Sequence, residues 1–176
     1  FGILLIAFHL WLLIVSIVNR TIPDTQPVQH LVRLHLGPVE HWPAVLKLLL
    51  PILVVLLLWL PLHPLLVSAG LLPPASGFVL LLEQGLVLGF ASMLYSKPLL
   101  LAALSLHLLN SYVHLGRSPL IDFASDTARN LLKLLSWLPL CWRRIDFAPI
   151  VLGVLIWLAA RAWELVLSSL FRKLPF

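Results

Sequence analysis

The sequence predicts an all-α integral membrane protein, and three observations predict it. Of its 176 residues, 61% are hydrophobic and 11% charged, where soluble domains average about half apolar and about a quarter charged. Mean hydropathy is +1.04. The apolar residues gather in runs of about 20, the length that crosses a bilayer core as a helix. So little charge leaves too much surface uncovered for a water-soluble fold of this size. A soluble enzyme, a disordered regulator and a disulfide scaffold are thereby excluded. The single cysteine, Cys141, permits no internal disulfide and falls short of a thiolate zinc or iron–sulfur centre. The formal net charge of +5 reads as membrane topology and contact with anionic lipid headgroups, not as nucleic-acid binding.

The elements follow in order. Gly2–Val18, closed by Asn19-Arg20, reads as a spanning helix whose first residues are missing. It is long and even for a signal peptide, and no Ala-x-Ala site follows it. Residues 44–66 form the second span. Pro51 kinks it, and the Pro-Leu-His-Pro run at 61–64 marks its exit. Gly70 and Pro73-Pro74 signal a break. Residues 78–95 are long enough to cross but carry Glu83-Gln84 among Gly77, Gly85 and Gly89. They read as a re-entrant hairpin, an interfacial helix or an extra span. Residues 98–115 and 147–170 complete the set.

Basic residues orient it. The connector 116–146 holds Arg117, Arg129, Lys133, Arg143 and Arg144, and the connector 19–43 holds Arg20 and Arg33. The positive-inside rule puts both on the cytoplasmic side. Two connectors on one side need an even number of crossings between them. About four spans satisfy this (five is the alternative), with 78–95 re-entrant or lying on the surface.

Within the second connector, residues 120–138 have helical periodicity. Asp122, Asp126, Arg129, Asn130 and Lys133 fall at spacings of three and four and form a polar stripe. Leu120, Phe123, Ala124, Leu131, Leu134, Leu135 and Leu138 fill the remaining arc. Ser118-Pro119 starts this helix and Pro139 ends it. Its wide apolar arc suits an interfacial helix, either structural or a docking surface. Arg143-Arg144 then sit at the level of lipid phosphates.

The connectors echo each other. Asn19-Arg20-Thr21-Ile22-Pro23 parallels Gly116-Arg117-Ser118-Pro119, and His41-Trp42-Pro43-Ala44 parallels Asp146-Phe147-Ala148-Pro149. Two degenerate repeats follow, each a span, a basic connector with a helix of its own, and a span. They occupy residues 1–66 and 97–176, with 67–96 between them. The words Ser111-Tyr112-Val113, Gly116-Arg117-Ser118-Pro119 and Ile145-Asp146-Phe147-Ala148-Pro149, at this spacing, resemble the second repeat of the YggT family of small multi-pass bacterial membrane proteins with chloroplast relatives. The resemblance covers about 105–167 and is faint in the first half. Arg143-Arg144 stand where the family usually carries Gly-Gly. What the resemblance implies is a class: a non-catalytic membrane organiser or assembly partner.

Few residues carry candidate chemistry. Arg161 and Glu164, at i and i+3, share a face, with Arg161 about 4 Å from the middle of the last span. They read as a self-neutralised pair or as a contact with Glu83 or another chain. His9 and His107 are the pair in separate helices that fits axial ligation of a haem or chlorophyll-type pigment; interhelical hydrogen bonding is the other reading. His63 and His114 lie in or near spans. His30, His35 and His41 lack a zinc-binding frame. Trp42, Trp137 and Trp142 read as an interfacial belt. No Gly-x-Ser-x-Gly, P-loop or dinucleotide fingerprint is present. The expectation is an accessory subunit or assembly factor of a larger membrane complex. A haem- or pigment-binding subunit of a photosynthetic or respiratory complex is the alternative, and a small channel or transporter the second.

Overall fold

A computed structural model describes residues 2–20, 22, 26–74, 77–113, 118–136, 141–142 and 145–174. Seven α-helices follow in chain order: α1 (Gly2–Val18), α2 (Pro27–Leu36), α3 (Ala44–Ser68), α4 (Phe78–Ser92), α5 (Ser96–Val113), α6 (Pro119–Leu132) and α7 (Ala148–Phe171). Short 3₁₀ turns extend α2, α5 and α6 at Gly37–His41, Met93–Tyr95 and Lys133–Leu135. Among the described residues the only strands are β1 (Cys141–Trp142) and β2 (Ile145–Asp146), a two-residue antiparallel ladder.

Among the described residues three helical stretches are long and apolar enough to cross a membrane: Ala44–Ser68, Phe78–Val113 and Ala148–Phe171, beside the shorter apolar α1. The expected four spans are thus three by length and hydropathy. The difference is α1, which falls short of a full crossing. Residues 78–95 are not a hairpin: α4 runs into α5 as one helical stretch. Pro98 supplies the only discontinuity. It has no N–H for the Leu94 carbonyl, and the backbone tightens to 3₁₀ at Met93–Tyr95. Indole groups from neighbouring helices donate to carbonyls beside this break, Trp11 Nε1 to Tyr95 O at 2.6 Å and Trp163 Nε1 to Phe90 O at 3.2 Å. Such outside donors are how a membrane helix tolerates an interrupted ladder.

The second span also outruns its expected exit. Pro61 and Pro64 lie inside α3, which continues to Ser68. Its stop is Gly70, at φ 72°. The Gly70 N–H bonds Val67 O at 3.0 Å and the Leu71 N–H bonds Leu66 O at 2.9 Å. This is the Schellman arrangement, and it needs a left-handed residue where glycine stands.

α4 returns antiparallel along α3, Gly85 against Leu56 and Trp59, Gly89 against Ile52. Glycines four apart let two backbones approach closely in lipid, where dispersion rather than water exclusion drives association. α1 and α5 run in the same direction. Trp11 is level with Tyr95, and Val18 packs against the buried cluster that holds Leu104. α6 lies across α5 and α7, burying Ala128, Leu131 and Leu135 against Leu104 and Leu152. α2 packs on α1 through Val32 and Leu36, beside Leu13 and Val15. The two connector helices therefore meet at one end of the bundle, where Gln26 Nε2 donates to Asp126 Oδ2 at 2.7 Å.

A Cβ on Gly89 would stand 2.9 Å from the Ile52 carbonyl oxygen and 3.1 Å from its Cα, both backbone atoms. One on Gly85 meets first the end of the Leu56 side chain, which can turn. Gly89→Ala is expected to destabilise the α3–α4 pair by about 1–3 kcal/mol and Gly85→Ala by less, measured by unfolding in detergent.

Candidate functional site

The most organised polar region lies where α1 ends. Ser16 and Asn19 are fully buried, and Lys47, one turn into α3, is 4% exposed. Burial of a lysine is costly unless it is paired and hydrogen-bonded. Lys47 Nζ donates to Ser16 Oγ at 2.7 Å and sits 3.3 Å from Glu40 Oε2. The Ser16 hydroxyl donates to the same carboxylate oxygen. Glu40's other oxygen stands 3.6 Å from Arg33 Nε, whose guanidinium is anchored by a 2.9 Å bond to the Ile22 carbonyl. One carboxylate thus serves two cations and a hydroxyl. The local sequence explains its placement. Gly37-Pro38 ends α2 in a 3₁₀ turn that carries Glu40, and Trp42-Pro43 restarts the chain as α3.

A second set of bonds ties this end to α6. Asn19 Nδ2 donates to Thr127 Oγ1 at 2.7 Å, and Asn130 Nδ2 returns a bond to Asn19 Oδ1 at 3.2 Å. Lys133 Nζ donates to Asn130 Oδ1 at 2.8 Å. The polar stripe expected on α6 is therefore divided. Asp126 and Asn130 bond inward, while Asp122, Arg129 and Lys133 face out. Its apolar arc is divided as well. Leu120 and Leu134 are each 69% exposed, and Ser125 and Thr127 join Ala128 and Leu131 in the buried face. Ser118 caps the helix as expected, its side chain accepting from the Ile121 N–H. Thr127 points inward because α6 packs on Asn19 as well as on hydrocarbon; the Ser125 hydroxyl is buried with no partner among the described residues.

The other candidates scatter. Arg161 Nη1 stands 3.0 Å from Glu164 Oε2, and Lys97 Nζ stands 3.4 Å from the other oxygen. Lys97 is the member of this triad that sequence spacing does not reveal, since it comes from α5. Glu83 is exposed on α4 and joins no ion pair among the described residues. Arg129 pairs with Asp126 at 3.7 Å and is 70% exposed. Arg117, Arg143, Arg144 and His114 lie outside the residues whose side chains are described. His9 and His107 do not face each other. With Trp11 level with Tyr95 and the helices parallel, the two lie about 20 Å apart along the axes. His9 Nδ1 donates to the Leu5 carbonyl of its own helix at 2.9 Å, and His63 packs edge-on against Trp59 at 5.5 Å. No group of three or more His, Cys, Asp or Glu fit to hold a metal ion occurs among the described residues.

Compared with known proteins, the chain matches no protein-family model, no curated protein and no solved structure.

Removing one member of a buried ion pair leaves the other charge uncompensated, at about 3–5 kcal/mol. Glu40→Ala, which strands Lys47, is expected to lower unfolding stability in detergent by about that amount. Asn19→Leu, which removes the bonds to Thr127 and Asn130, is expected to cost about 1–3 kcal/mol. Arg129→Gln, at an exposed pair, is expected to change stability by no more than about 1 kcal/mol.

Proposed function

We propose that this protein is a non-catalytic accessory or assembly subunit of a larger membrane complex, and that the outer face of α7 is where it meets that complex. One observation carries the reading. The triad of Arg161, Glu164 and Lys97 holds two cations and one carboxylate, and Arg161 is 58% exposed on the outside of the bundle. It stands ten residues, about 15 Å, from the C-terminal end of a helix apolar enough to span. A charge at that depth normally faces protein or water, not hydrocarbon. Val154, Leu158, Arg161 and Leu165 fall at i, i+4, i+7 and i+11 and are each about half exposed or more. They make one straight stripe for a partner helix, with the guanidinium in its middle. The group that completes such a stripe is a carboxylate or a cluster of carbonyls on another chain.

The resemblance to the YggT family favours the same class. In this reading the protein is held in a bacterial inner membrane with both connectors cytoplasmic, where basic residues collect.

Copurification in mild detergent with mass spectrometry tests it. The wild-type chain is expected to retain a defined set of membrane proteins, and Arg161→Met to lose them at least about tenfold, as truncation of one partner of a desolvated charge pair does. A wild-type chain that emerges alone refutes the proposal. A Soret or Qy band in the same preparation replaces it with the haem- or pigment-binding reading.

A further inference from the structure

We infer that the first connector holds a binding site for the phosphate of an anionic phospholipid, in the cleft between the end of α1, α2 and the turn after it. The cleft encloses about 520 Å³, and Arg20, Arg33, His30 and His41 line it together with Leu34 and Trp42. Its one acid among the described residues is already engaged. Glu40 is shared between Arg33 at 3.6 Å and Lys47 at 3.3 Å, with the Ser16 hydroxyl on the same carboxylate. Two cations against one carboxylate leave this network positive before Arg20 is added. Arg20 is exposed and joins no ion pair among the described residues. His30 and His41 are exposed imidazoles at the same cleft and supply further donors. Guanidinium groups held in a fork suit a phosphate's oxygens, and Arg33 is fixed in place by its bond to the Ile22 carbonyl.

The apolar rim decides the source of that phosphate. Leu34 is 68% exposed and Trp42 43%. Below Trp42 the start of α3 leaves Val45, Leu46, Leu48 and Leu49 exposed. A free phosphate covers none of this. A phospholipid covers all of it, its headgroup in the cleft and a chain along the first turns of α3. Trp42 sits at the junction, where indole rings favour the membrane–water boundary. The net positive charge selects an anionic lipid over a zwitterionic one. This site is separate from the α7 stripe and does not depend on the subunit reading.

The test uses the full chain in detergent, given phosphatidylglycerol or phosphatidylcholine and weighed by native mass spectrometry. Phosphatidylglycerol is expected to be retained about tenfold better, because its phosphate carries no choline cation to repel the arginines, and each basic residue is drawn to net anionic lipid. The double variant Arg20→Gln, His41→Gln is expected to lower its retention to the phosphatidylcholine level with unfolding stability unchanged, because both side chains are exposed and outside the buried bonds. Arg172→Gln, at the end of α7, is expected to leave retention as in the wild type. Equal retention of the two lipids overturns the inference, as does an undiminished double variant or an equal loss with Arg172→Gln. Displacement of the lipid by millimolar inorganic phosphate also overturns it, in favour of a free-anion site.

Discussion

The constraint on which this fold turns is that polar groups leaving water must take their partners with them. In hydrocarbon an unpaired amide, hydroxyl or ammonium costs several kcal/mol. The chain meets most of that cost at one end of the bundle, where the Gln29 carboxamide and the Ser125 hydroxyl nonetheless lie buried with no partner among the described residues. Lys47, Ser16, Glu40 and Arg33 close one set of bonds and Asn19, Thr127 and Asn130 another. Between them these bonds join α1, α2, α3 and α6. Apolar packing alone carries little directional information, because one leucine-rich face packs on another in many registers. The polar seam has few alternatives. It sets which helix ends meet and where α2 and α6 lie, and the leucines fill in around it.

The same rule governs the middle of the molecule by other means. Where Pro98 interrupts the ladder, the Ser96 hydroxyl of the same helix donates to Met93 O at 2.7 Å, and α1 and α7 each contribute a tryptophan to carbonyls beside the break. The long stretch from Phe78 to Val113 is therefore held from both sides at its weakest point. The α3–α4 pair is held differently again, by backbone approach at Gly85 and Gly89. Hydrogen bonding and close packing divide the work according to what each depth of the bundle offers.

Much of this was legible in the sequence, for identifiable reasons. α1 runs over its expected residues, and α3 and α7 lie within a residue or two of theirs, because twenty-residue apolar runs allow little else. Ser118-Pro119 marked the start of α6 correctly because capping chemistry is local. Arg161 and Glu164 were legible as a pair because i, i+3 spacing on a helix is sufficient to bring them together. What escaped depended on distance along the chain. Lys97 meets Glu164 across 67 residues and Asn19 meets Thr127 across 108. No local pattern encodes either. Lys47 falls within the apolar run 44–66 and Glu40 within the connector 19–43, and only their bracketing of the Trp42-Pro43 restart hints that they pair. The inward turn of Ser125 and Thr127 escaped because hydrophobic periodicity treats small hydroxyl residues as surface. The joining of 78–95 to α5 escaped because Glu83-Gln84 and three glycines read as interruption, whereas Gly85 and Gly89 serve the contact with α3.

The Asn19–Thr127 bond has a consequence for how the protein is made. The two residues are separated by 108 positions, and ribosomes extend a chain at about 5–20 residues per second. After Asn19 leaves the ribosome, its partner does not exist for another 5 to 20 s or so. Throughout that interval the first hairpin has a carboxamide with nothing of its own chain to bind. Water at the membrane surface, or a companion of the insertion machinery, must hold it until α6 arrives. The first 66 residues are in that sense an unfinished piece, and a ribosome halted before residue 127 leaves them so.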